Sequence, residues 1–166
     1  MADGRAAVAA AVAPNPDYRA TIVRAFEASP FLVENGIRFV DCGPGWCEAA
    51  VAMTPRHLQH TGVPHAGIVA TIADHTAGGA AMTLAPAGDF VLTTNLNVSL
   101  LRGIVAKRLV CRAQVVKPGR RVSFAESSIE AELAGGERRL VARASVTLSV
   151  LRLERARSLP TSLETT

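Results

Sequence analysis

The chain has 166 residues, of which 49% are apolar but only 4% aromatic, and a formal charge of +4. That length suits one domain with one core, and the scarcity of rings removes the stacking platform that single-stranded nucleic acid requires. The basic residues are scattered rather than gathered into a continuous Lys/Arg run, so nucleic acid is not an expected partner; no stretch reaches the ~20 apolar residues of a membrane span.

Three cysteines, Cys42, Cys47 and Cys111, are an odd number in a chain large enough to fold without staples. They point to a reducing compartment and a soluble, cytoplasmic protein. Residues 1–14 carry an Ala/Val run too short and too weakly apolar for a signal peptide, and read as a disordered leader. A single domain is expected over 15–152. Residues 153–166 lose periodicity and read as a mobile tail.

Ile22, Val23 and Phe26 stand at helical spacing, predicting a short amphipathic helix over 16–29 that Pro30 ends. Residues 31–53 read as two strands joined by Gly43, Pro44 and Gly45. After a polar stretch, Ile68, Val69, Ile72 and Ala73 recur at 3.6 spacing and predict a long apolar helix over 65–84. Gly78 and Gly79 each cost up to ~1 kcal/mol against Ala there, which implies close approach of another backbone.

From Asp89 the period changes to two: Phe90, Leu92, Thr94, Leu96, Val98 and Leu100 are expected on one face, and Thr93, Asn95, Asn97 and Ser99 on the other. Three more strands follow, separated by Pro118-Gly119 and Gly135-Gly136, whose short turns predict antiparallel neighbours. Six antiparallel strands and one helix too apolar for a surface give an α+β class. The economical arrangement is a curved six-stranded sheet wrapped around a long central helix, the hot-dog fold.

The start of the long helix is a candidate site. Its first N–H groups, at Ala66 and Gly67, lack intrahelical partners and carry the positive end of the helix dipole, so they suit a carbonyl or an oxyanion. Asp74 is the one acid in the helix and lies ~12 Å further along the axis. A carboxylate there serves a carbonyl only if a second copy packs with its helix antiparallel, which predicts a dimer with two composite sites. Asp74 then acts as general base on water or as nucleophile. Gln59 is placed to orient water or hold the acyl carbonyl, His65 to brace the loop or polarise through its ring, and Thr93 to position water.

The segments QHTGVPHAGIVATIAD, LTTNLNVSLLRG, VVKPGRR, AEL and LVARASVTL together resemble the phenylacetate-pathway (PaaI-like) branch of hot-dog acyl-CoA thioesterases over about residues 30–151. The resemblance implies Ala66 N–H as oxyanion donor, with HAG where the family typically has HGG, and Asp74 from the partner subunit as base or nucleophile. It implies that Gln59, His65 and Thr93 match family site positions. It also implies basic side chains for the phosphates and adenine of CoA, here Arg102 with Lys117, Arg120 and Arg121. The expected partners are acyl-CoA and further copies of the chain, as a dimer or a dimer of dimers (homotetramer).

Two other readings stand beside it: a hot-dog hydratase or dehydratase acting on an enoyl or β-hydroxyacyl thioester, and a non-catalytic acyl-CoA-binding domain. Neither metal nor bound cofactor is expected, because His57, His60, His65 and His75 have no Cys or carboxylate at ligand spacing. No Ser or Cys occupies a GxSxG nucleophile elbow.

Overall fold

The computed structural model describes residues 12–152; most of the expected leader and the whole expected tail lie outside them. The order is α1 (Tyr18–Ala28), α2 (Pro30–Glu34), β1 (Ile37–Gly43), β2 (Trp46–Ala52), α3 (Ala66–Met82), β3 (Asp89–Leu100), β4 (Arg108–Lys117), β5 (Val122–Glu132) and β6 (Arg138–Arg152). A single 3₁₀ turn, Pro55–His57, leads from β2 toward α3.

One predicted strand begins too early. Residues 31–34 are helical because Pro30 does more than end α1: proline is pre-organised for a first helical turn, and here it opens α2. That helix closes where Asn35 N–H donates to Phe31 O and Gly36, at φ 66°, turns the chain into β1.

The strands form one antiparallel sheet in the order β1-β2-β4-β5-β6-β3. The tight turns do make neighbours of β4, β5 and β6. Residues 101–107 instead carry the chain from β3 at one edge across to β4 beside β2, so sequential strands β3 and β4 do not pair.

Helix α3 lies in the concavity. Ile72, Ala73, Ala77 and Ala80 are fully buried, in one cluster with Leu109, Cys111, Ile129 and Leu148 from the strands. Small residues set the closeness of this packing: a methyl at Gly79 would sit 2.8 Å from Cys47 Sγ, inside van der Waals contact. Gly78, by contrast, has room for one, its nearest neighbour being Val91 at 3.9 Å.

Three hydrogen bonds from outside the helix fix its position. His65 N–H donates to His57 O at 2.8 Å ahead of the first turn. Ser127 on β5 donates its hydroxyl to Ala73 O at 2.8 Å, and Thr83 Oγ1 at the far end accepts Gly45 N–H from the β1–β2 turn at 2.7 Å.

Strand β3 departs from its predicted alternation. A bulge between Thr93 and Asn95 shifts its register against β6, and a single extra residue in a two-residue repeat exchanges the faces. Val91 and Thr93 lie opposite Val150 and Leu148, while Leu96, Val98 and Leu100 lie opposite Val146, Ala144 and Ala142. All of these therefore face α3, and Phe90 and Leu92 fall on the outer face with Asn95 and Asn97. The outer edge of β3 has no partner among the described residues, and Leu92 and Leu100 are 45% and 56% exposed. No helix among the described residues is long and apolar enough to cross a membrane.

Candidate active site

The bulge has a direct chemical result, because it turns Thr93 toward the helix. Its Oγ1 donates to Asp74 Oδ1 at 2.7 Å, so the two polar groups read separately in the sequence form one unit. Asp74 is half-buried on the side of α3 that also carries Ala70, Thr71 and Gly78, and it has no arginine or lysine partner among the described residues. Position 73 is held by the Ser127 hydroxyl, so the carboxylate next to it projects from a tethered turn. Sequence reasoning passed over Ser127. The signal was its phase, since Ser127 alternates with Ala125, Ile129 and Ala131 and therefore falls on the buried face of β5.

At the start of the helix His65 is the N-cap, and its ring Nδ1 accepts Gly67 N–H at 2.9 Å. This corrects the expectation for Gly67: its N–H is already used and is not a free oxyanion donor. Ala66 N–H has no hydrogen-bond partner among the described residues. Ala66 is helical, and no non-glycine residue among those described has a positive φ, so the alanine methyl costs no backbone strain. Its side chain is exposed at the helix tip.

The four histidines occupy separate places. His57 is 5% exposed and accepts Thr54 N–H at Nδ1, and no acceptor among the described residues reaches its buried Nε2. The His75 ring meets Phe26 edge-on at 4.6 Å on the opposite side of α3 from β3, and burial lowers its pKa below the usual imidazole value of 6.5.

Gln59 and Arg102 lie together. They border a cleft of about 230 Å³ beside the start of α3, with Val63, Pro64, Val69 and Ile104 in its walls. Arg120 and Arg121 border a different cleft, of about 890 Å³, with Ala81 and Leu84 at the other end of α3. The basic residues grouped by the sequence are thus divided between the two ends of a helix ~25 Å long. Lys117 is exposed at the end of β4, three residues before Arg120, and does not line the larger cleft.

The chain therefore carries, at the helix start, an N–H with no partner among the described residues beside a mostly apolar cleft bordered by Gln59 and Arg102, and a positioned carboxylate two turns later. The comparisons agree with this architecture. Residues 61–133, from the loop before α3 through β5, match the thioesterase superfamily. A thioesterase family protein from Silicibacter pomeroyi is 34% identical with a TM-score of 0.77, over 81% of this chain and 98% of that one. A Mycobacterium tuberculosis protein named as a candidate esterase is 30% identical over 65% of this chain and 77% of its own length. One similarly named in Haemophilus influenzae is 27% identical over 71% and 83%. Strand order, central helix and these similarities converge: the chain has the hot-dog fold and belongs to the thioesterase superfamily.

Proposed function

We propose that the chain is a PaaI-like acyl-CoA thioesterase that hydrolyses acyl-CoA to the free acid and CoA in two equivalent sites across a two-fold axis. The observation that carries this reading is the Thr93–Asp74 bond, made on the open side of α3 to a carboxylate with no basic partner among the described residues. With a partner helix running antiparallel, Asp74 of one chain serves the carbonyl held at Ala66 N–H of the other.

The thioester oxygen accepts from Ala66 N–H and the carbonyl carbon becomes electrophilic. Thr93 spends its proton on Asp74 and keeps lone pairs, so Thr93 Oγ1 and the free carboxylate oxygen present two acceptors to one water. This favours Asp74 as general base. Water adds to the carbonyl carbon as its proton passes to Asp74. The oxyanion collapses, the C–S bond breaks, and the proton returns from Asp74 to the departing thiolate. Gln59 holds the acyl carbonyl or the water. His65 acts through the helix cap, and its Nδ1 is committed to Gly67, which counts against the hydratase reading in which this ring is the acid–base partner.

Arg102 is the basic candidate near the helix start for the anionic part of CoA. Arg120 and Arg121 belong to the far end, with Lys117 preceding their turn, and the cleft that the two arginines border reaches Ala81, ~10 Å beyond Asp74 in the chain that supplies the carboxylate.

Thiol release measured over a panel of acyl-CoAs tests the reading. Asp74→Asn is expected to lose 10²–10⁴-fold in kcat, about the contribution of a general base, and Thr93→Val about 10-fold. An Asp74→Asn enzyme as fast as the parent sinks the assignment.

A further inference from the structure

We infer that the cleft beside the start of α3 is an acyl pocket selecting aliphatic, uncharged acyl groups of medium length, about eight carbons; the inference rests on the thioesterase reading above and names its substrate class. The cleft adjoins the oxyanion donor. Pro64 lies two residues before Ala66 and Val69 one turn after it, and both are in the wall, so a carbonyl at Ala66 N–H has its acyl group at the mouth.

Three features of the cleft set the class. Its wall is aliphatic, built from Val63, Val69, Leu100, Ile104, Leu109 and Val141. No aromatic side chain among the described residues lines it, so a ring gains none of the edge or offset pairing that favours aryl groups in aromatic pockets. Its volume is about 230 Å³; since a cavity of about 150 Å³ holds benzene, the same density gives room for roughly nine carbons. That is too small for a nucleotide as well, which leaves the CoA moiety outside. Gln59 and Arg102 are exposed residues bordering this cleft, whereas Val69, Leu109, Ala131 and Val141, none more than 6% exposed, are its buried apolar members.

The width of the cleft is set by two facing loops. A methyl added at Gly103 would sit 3.7 Å from Val63 Cγ2, ordinary contact, and Gly103 has no positive φ, so a side chain is accepted there and narrows the opening. Val63 faces it from the loop before α3.

The test is kcat/KM for the C2 to C16 saturated acyl-CoAs, phenylacetyl-CoA and an ω-carboxyacyl-CoA, with wild type, Gly103→Val and Val63→Ala. The expected result is a rise of about fourfold per added methylene, a maximum near C8 and no gain beyond it. Gly103→Val is expected to move the maximum to shorter chains and Val63→Ala to longer ones. The thermal midpoint of each variant is measured to show that it is folded, and the two opposite shifts cannot both arise from misfolding. A maximum for phenylacetyl-CoA or the ω-carboxyacyl-CoA, or a maximum that neither substitution moves, overturns the pocket assignment while leaving the thioesterase standing. Release of thiol from none of the substrates fails the functional reading instead.

Discussion

His75 follows Asp74 directly yet performs on the other side of α3, where its buried ring packs on Phe26. Because burial lowers its folded-state pKa below 6.5, the unfolded chain binds this proton more readily. The stabilisation is therefore complete above pH 6.5 and lost as pH falls through the folded value. Thermal midpoints measured from pH 7.5 to 5 are expected to fall less steeply for His75→Phe than for wild type; parallel curves contradict the assignment. Asp74 and Thr93 were both visible in the sequence, as an acid in an apolar helix and a hydroxyl on the next strand. Their bond was not, because it depends on which face Thr93 takes, and alternation alone placed it opposite Leu96 and Val98. Gly67 shows the same limit of pattern: its N–H was correctly read as free of intrahelical partners, but the cap that consumes it comes from a side-chain rotamer of His65.

Helix α3 was legible almost to its ends, since apolar spacing and a long Ala-rich run determine both its existence and its burial. The two glycines within it are not equivalent, and only packing separates them. Gly79→Ala forces a methyl against Cys47 and is expected to destabilise by about 1–3 kcal/mol, the usual cost of overpacking. Gly78→Ala meets only ordinary contacts within one chain and gains up to ~1 kcal/mol of helix propensity. Denaturant midpoints of the two variants check this, and equal shifts would show that the Gly79 contact does not matter. Gly78 lies one turn from Asp74, so a Gly78→Ala enzyme that is stable but impaired would also support the proposed contact of this side of α3 with a partner helix. Helix α2 escaped the sequence reading because Phe31, Leu32 and Val33 are as good in strands as in a short helix, and proline's double role as stop and start is settled by the turn around it.

At the scale of the whole molecule, the sheet was legible as six antiparallel strands, but not the order that puts β3 beside β6. Local turns fix neighbours only where they are short, and residues 101–107 are free to cross. That crossing leaves β3 at an open edge next to Asp74, where a second copy is proposed to complete the site. Complementation tests this. Asp74→Asn removes the carboxylate, and Ala66→Pro removes the donor at the first helical position, where proline is tolerated. Each variant alone is expected to be inactive, whereas equal mixtures after subunit exchange should regain about a quarter of wild-type activity, since half of the dimers then hold one intact site. No recovery, with exchange verified by mass, argues against a shared site. The bulge at Thr94 also bears on how such edges meet. A long strand with one uninterrupted phase can slide along its twin in two-residue steps, and each step offers a further protein edge for growth. Strand β3 reverses phase halfway, so two copies meeting at this edge in the proposed dimer would match their apolar and polar stretches in a single alignment. In the proposed dimer the same inserted residue that delivers a hydroxyl to Asp74 would also act as a key for assembly, and deleting Thr94 is expected to turn a defined pair into a mixture of larger species on size-exclusion chromatography.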